Sequence, residues 1–187
     1  MTDSLRQRVM ALLLELVGTI KEDAGPNRDS AGRIQEMWDS ISDPDSATWI
    51  GYTPSAERGN EWCAAFACWV LAKCGMPLTH AKGQGYYGCG MMIHWLIDRG
   101  MWQDDFYCPE PGDLIFLDWR KIGSTLPDDV PVHWKRAAQD VDHVGFVERV
   151  EGDIIHTIEG NWRGGVNRGQ RDTSSGVIVG YGVISLP

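Results

Sequence analysis

Leu5, Val9, Leu12, Leu13 and Leu16 recur at three- and four-residue spacing, so residues 4–20 are expected to form a helix with one apolar stripe. Gly25, Pro26 and Asn27 end that segment in a turn. Ser30 then stands where a cap belongs, ahead of a second helix over 31–41 with Ile34, Met37, Trp38 and Ile41 on one face. Asp43, Pro44, Asp45, Pro54 and Gly59 punctuate 42–59 as a loop. The stretch NEWCAAFACWVLAKCGMP, from Asn60 to Pro77, mixes good helix formers with large apolar groups and reads as a largely buried helix. Asn60 is its expected N-cap, and Gly75 and Pro77 stop it. Cys63 therefore falls in its first turn. Gly83, Gly85, Gly88 and Gly90 next flank Tyr86 and Tyr87; the loop lacks the Lys and Ser/Thr of a phosphate cradle and reads as a hinge or cleft wall. A fourth helix is expected over 91–99, closed by Gly100.

The second half changes pattern. Residues 113–119 are strand-like, rich in Leu, Ile and Phe, and 120–140 form a long polar connection with a short helical piece at 134–138. Residues 144–150 and 154–158 read as a hairpin, and 177–184 as a last strand loosened by Gly180 and Gly182. Helices first and strands after give an α+β chain. The expected organisation is one domain over 1–187: helices in 1–41, the Cys63 helix and cleft loop in 60–100, and an antiparallel sheet in 109–187.

The hairpin carries the candidate chemistry. A three-residue loop of Val150, Glu151 and Gly152 would put Gly152 at the left-handed position. Arg149 then faces Asp153, Val147 faces Ile155, Gly145 faces Thr157 and His143 faces Glu159, with Cβ atoms of such pairs about 4.5–5.5 Å apart. A two-residue loop would instead place His143 and Glu159 on opposite faces, because a one-residue slip flips the side chains. An imidazole beside a carboxylate is the orienting half of a nucleophilic triad. Asn161, two residues beyond Glu159, points the same way if the strand continues, and would help hold the ring. Cys63 at a helix start supplies the third member, because the free N–H groups and dipole there favour a thiolate. The plainer alternatives are a small buried Cys and a His satisfied by a neighbour.

Composition narrows the function classes. The net charge is −9 and no basic patch stands out, so nucleic acid is not an expected partner. The apolar run 9–20 is too short to span a membrane and is interrupted by Glu15. Arg6 and Arg8 precede it as in a signal peptide, but no small-residue cleavage site follows, so an amphipathic helix is expected. Five cysteines leave at least one unpaired within the chain, and no CxxC spacing suggests zinc. Cys68, Cys74, Cys89 and Cys108 are core residues or bridge partners, and Cys63 is expected to alkylate fastest of the five. Trp62, Tyr86, Tyr87 and Trp162 are candidate substrate-binding aromatics, set against the alternative of a Trp-rich core.

The stretches EWCAAFACWVLAKCG, PEPGDLIFLDW, DHVGFVERV and TIEGN resemble the CHAP family of cysteine amidases and peptidases, within the NlpC/P60 and papain-like group. VNRGQR, at 166–171, is similar to the strand and turn that follow the acid in phage-type members. EDAGPNRDSAGRI resembles the segment common upstream of the Cys, and the likeness runs from Lys21 to the end. The resemblance implies a papain-like α+β fold, its N-terminal helices packed on a small antiparallel sheet. It implies hydrolysis of a peptidoglycan amide, at N-acetylmuramoyl-L-alanine or within the peptide, through a thioester. By position, Cys63 is then nucleophile, His143 base and acid, Glu159 the orienting carboxylate and Asn161 an accessory polar group. The Asp cluster that binds calcium in certain phage enzymes is missing ahead of Cys63, so neither metal nor cofactor is expected.

Two other readings stay open: a papain-like deamidase or protease acting on a protein, and a glycan- or peptide-binding module without catalysis. The expected partner is peptidoglycan, with an immunity or inhibitor protein or a secretion machine as others to test for, and a monomer is expected. Synthesis in the cytoplasm followed by release or delivery to the wall fits a phage lysin, a delivered effector, or a bacterial wall enzyme whose export signal was removed.

Overall fold

The structure, a computed structural model, describes residues 4–41, 61–78, 88–119 and 141–184. The expected loop at 42–59, the Asn60 cap, Gly83, Gly85, Tyr86, Tyr87 and the connection at 120–140 lie outside the described residues.

Helix α1, Leu5–Leu16, starts at a capping box: the Ser4 hydroxyl accepts from the Gln7 backbone N–H, and the Gln7 side chain accepts from the Ser4 N–H at 2.7 Å. It buries Leu5, Val9, Leu13 and Leu16. It stops short of the expected Ile20, because Gly18 takes φ +72° and gives its N–H to the Val166 carbonyl. Helix α2, Arg33–Ile41, buries Ile34, Met37, Trp38 and Ile41. Its cap is Asp29 rather than Ser30. The Asp29 carboxylate accepts the N–H groups of Arg33 and Ile34 at 3.0 and 2.8 Å, while the Ser30 hydroxyl donates to Asp23.

Helix α3, Cys63–Lys73, is buried at every position from Cys63 to Leu71, and Gly75 at φ +89° follows its end. Phe66 packs edge-on against Trp62 and Phe146, at 6.2 and 6.1 Å between centroids. Burying one such ring stabilises the fold by about 1.5–3 kcal/mol. A Cβ on Gly160 would lie 2.5 Å from Phe66 Cγ, so only glycine lets the chain after the hairpin approach α3 this closely. Helix α4, Cys89–Asp98, ends before Gly100 at φ +66°.

The strands β1 (Trp102–Gln103), β2 (Leu114–Leu117), β3 (His143–Glu151), β4 (Ile154–Glu159), β5 (Asn167–Asp172) and β6 (Ile178–Gly182) form one sheet in the order β1-β6-β2-β3-β4-β5. Every pairing is antiparallel. The architecture is therefore α+β, with helices and a six-stranded antiparallel sheet. Leu114, Phe116, Val144, Phe146 and Ile158 face the helices in the main core, whereas Ile115, Leu117, Val147 and Ile155 form a second cluster on the other face. Alternation along β3 thus puts His143, Gly145 and Val147 together on that second face. Among the described residues, no helix is long and apolar enough to cross a membrane.

The β3–β4 register differs from the expected one. The turn holds two residues, Gly152 and Asp153, with Gly152 at φ +59° in the first central position, as type II′ hairpins favour. Arg149 pairs with His156 instead of Asp153, and Val147 with Thr157 instead of Ile155. A β-bulge between Val147 and Arg149 inserts one extra residue, Glu148. The two-residue turn would by itself put His143 and Glu159 on opposite faces. The bulge shifts the register by one and returns them to the same face.

Candidate active site

His143 opens β3 and Glu159 closes β4, and both are buried. The His143 Nε2 and the Glu159 Oε2 are 2.9 Å apart. They do not face each other across the ladder as expected. Gly145 stands beside Glu159, and a Cβ there would lie 2.5 Å from Glu159 Cγ. The bare glycine is what lets the Glu159 side chain reach along the sheet to the imidazole. On its other side Gly169 does the same, since a Cβ there would be 2.6 Å from Glu159 Oε1.

Arg171 and Thr157 complete the carboxylate's surroundings. The Arg171 Nη2 donates to both Glu159 oxygens at 2.6 Å, and the Thr157 hydroxyl donates to Oε1. The guanidinium packs on Trp162 and Trp119, at 4.5 and 4.8 Å from the ring centroids. The two indoles are stacked at 5.6 Å and 13°, and the His143 ring lies 5.9 Å from Trp119 and 6.3 Å from Trp162. Burial acts to raise the Glu159 pKa, but the hydrogen bond and charge of His143, together with Arg171 and Thr157, hold it below the ordinary carboxylate value.

With Nε2 engaged by Glu159, Nδ1 is the ring nitrogen left for Cys63. The thiol is the first residue of α3 and 3% exposed, and its electrostatics are tied to those of His143. It also meets the thiol of Cys89, the first residue of α4, at 3.8 Å between sulfurs. The Cys63 pKa lies well below the usual thiol value. The hydrogen bond from Cys89 is the largest cause and overcomes burial; the bond and charge of His143 and the Val144 backbone N–H add to it. Burial opposes charge on His143, yet the hydrogen bonds and negative charges of Cys63 and Glu159 prevail and push the imidazole up to about 10. The two shifts run in the sense that favours a thiolate beside an imidazolium. Partial burial and the Cys63 charge raise the Glu61 carboxyl.

Cys63, His143 and Glu159 thus come together. Asn161 does not join them as expected: β4 ends at Glu159, and Asn161 sits in the following turn at φ +58°. Among the described residues its side chain makes no hydrogen bond to the His143 ring; Glu159 holds that ring instead. Trp62 is not a cleft residue. It is fully buried, its Nε1 donates to Glu22 at 3.0 Å, and it is the cap position of α3. Trp162 does lie beside His143, and its buried Nε1 has no hydrogen-bond partner among the described residues. None of the five cysteines forms a disulfide in the structure. Among the described residues, no group of three or more His, Cys, Asp or Glu side chains is arranged to hold a metal.

Sequence reasoning missed Arg171, Thr157, Trp119 and Cys89. The first two share an alternation with Glu159 that a correct β4–β5 register would have exposed, since Thr157 pairs with Gly169 and Ile155 with Arg171. The contact of Cys89 with Cys63 joins two helix starts and leaves no local signal.

The family model of the CHAP domain matches residues 55–161, more than half of the chain, and spans Cys63, His143 and Glu159. No curated protein matches the sequence. Among solved structures, the crystal structure of Ly7917 is similar at 14% identity and a TM-score of 0.44, covering 95% of this chain and 62% of that one. The chain therefore spans less than two thirds of that protein's length. By the family match, the chain belongs to the CHAP domain family, a papain-like group of hydrolases of the peptidoglycan amidase and peptidase type.

Proposed function

We propose that the chain cuts an amide bond of peptidoglycan, either N-acetylmuramoyl-L-alanine or a bond within the peptide, with Cys63 as nucleophile and a thioester as intermediate. The observation that carries this reading is the His143 imidazole held 2.9 Å from the buried Glu159 carboxylate, together with a buried thiol at the α3 start whose proton affinity that imidazole lowers. The Cys63 thiolate attacks the amide carbon, and negative charge moves to the carbonyl oxygen. The backbone N–H of Cys63, free of an intrahelical partner at the helix start, is the natural first donor to that oxygen. The His143 imidazolium gives its proton to the leaving amine. Neutral His143 then takes a proton from water, whose oxygen attacks the thioester, and Cys63 leaves as thiolate. Glu159, braced by Arg171 and Thr157, keeps Nδ1 aimed at the sulfur and stabilises the imidazolium in both half-reactions.

Purified peptidoglycan incubated with the protein tests the reading, with mass spectrometry of the soluble fragments. The expected result is release of muropeptide or stem-peptide fragments whose new ends identify one amide bond, lost in Cys63→Ala. Intact peptidoglycan after incubation with well-folded protein, or the same fragments from Cys63→Ala, would overturn it.

A further inference from the structure

Cys89 lies against Cys63, and the reaction above makes no use of it as a thiol that can be oxidised. Both sulfurs are buried, 3.8 Å apart, each on the first residue of its helix. From that juxtaposition we propose that Cys63 and Cys89 form a peroxide-responsive pair that closes reversibly into a disulfide and so locks the nucleophile. The assignment of Cys63 as nucleophile rests on the proposed function, but the pairing itself rests on the two sulfurs.

A disulfide needs its sulfurs about 2.05 Å apart, so closure is a small approach of two side chains already in contact. The chemistry of the two sulfurs differs in the required sense. Cys63 is the thiolate, stabilised by the Cys89 and His143 hydrogen bonds, and a thiolate is the form that attacks peroxide. Cys89 is held well above its ordinary value by its bond to Cys63, by burial and by the Cys63 charge, so it waits as a thiol.

In the first step the Cys63 sulfur attacks the outer oxygen of a hydroperoxide. The sulfur–oxygen bond forms, the oxygen–oxygen bond breaks, and the departing alkoxide or hydroxide takes the proton of the His143 imidazolium. Cys63 is now a neutral sulfenic acid, and the charge that held the Cys89 proton in place is gone. In the second step Cys89 gives its proton to neutral His143 and its sulfur attacks that of Cys63. The sulfur–sulfur bond forms, the sulfur–oxygen bond breaks, and hydroxide leaves as water with the proton from His143. Two thiols are oxidised and one peroxide is reduced to an alcohol, or water, and water. A dithiol reverses the change by exchange. The same closure shields Cys63 from irreversible oxidation to the sulfinic and sulfonic acids.

The test treats the purified protein with hydrogen peroxide, alkylates the remaining thiols, and maps the peptides by mass spectrometry before and after dithiothreitol. The expected result is a crosslinked peptide pair joining Cys63 to Cys89, loss of Cys63 alkylation, and return of that alkylation with dithiothreitol. In Cys89→Ser and Cys89→Ala, each checked for folding by circular dichroism, Cys63 is expected to proceed to sulfinic and sulfonic acid that dithiothreitol does not restore. The proposal is overturned if wild-type Cys63 goes to those acids without a crosslink. It is equally overturned if the crosslink joins Cys89 to any cysteine other than Cys63, or if either Cys89 variant still recovers. A Cys63–Cys89 crosslink in a protein that never digests peptidoglycan supports the pair and overturns the hydrolase reading alone.

Discussion

At the scale of single residues, the site is a chain of charge: Arg171 to Glu159, Glu159 to His143, His143 to Cys63. Each link acts through the next, so the variants should leave distinct signatures. In the proposed mechanism His143 moves every proton, so His143→Ala should slow peptidoglycan hydrolysis by about 10²–10⁴-fold, read from initial rates. Glu159→Gln keeps the shape and removes a charge that helps push His143 up to about 10. The imidazolium loses its proton as pH rises through its pKa, and activity falls with it. The alkaline limb of the wild-type pH–rate profile should therefore lie near 10, and in Glu159→Gln it should move to lower pH. An unmoved limb would show that Glu159 does not set the imidazole's proton affinity. Gly145→Ala would drive a Cβ to within 2.5 Å of Glu159 Cγ. The overpacking should cost about 1–3 kcal/mol in urea unfolding, with hydrolysis reduced because Glu159 is pushed off His143.

At the scale of elements, the β3–β4 hairpin decides whether those residues meet at all. Deleting Glu148 removes the bulge between Val147 and Arg149. The two-residue turn would then turn His143 away from the Glu159 face, and the hairpin could keep its turn while losing the site. The expected outcome is loss of hydrolysis and of rapid Cys63 alkylation, with strand content by circular dichroism close to wild type. This is also where the sequence was hardest to read. The meeting of His143 and Glu159 was legible, because apolar alternation and Gly152 marked a hairpin. The route was not, because a bulge and a shorter turn give the same final parity as the three-residue loop. Strand β5 is polar, with Arg171 its only buried residue, so no apolar pattern marks it. Trp62 has the chemistry of a cleft residue, and only the packing against Phe66 and the bond to Glu22 reveal a core side chain. The cap of α2 was misplaced by one residue because Asp29 and Ser30 both suit the role and Asp23 claims Ser30.

At the scale of the whole molecule, the helical half supplies the sulfur and the strand half supplies the imidazole and acid, so the site exists only when the two halves dock. One tie between them is far from the site. Arg6 of α1 reaches Asp113 at the start of β2 at 2.7 Å, and Asp113 is fully buried. Arg6→Ala would leave that carboxylate without its cation but still accepting from the N–H groups of Glu110 and Ile184. The expected cost is about 2–3 kcal/mol in urea unfolding, at the lower end for a broken buried pair. The docking also sets the state of the sulfur, which is the claim on which the account stands. The most direct measurement is the iodoacetamide labelling rate of each of the five cysteines as a function of pH, mapped by mass spectrometry, in wild type and in His143→Ala. The account predicts that wild-type Cys63 labels fastest and keeps labelling at pH values well below those of an ordinary thiol, and that His143→Ala reduces this advantage. Labelling of Cys63 with the same pH dependence as Cys68, Cys74 and Cys108 in the wild-type protein would contradict it.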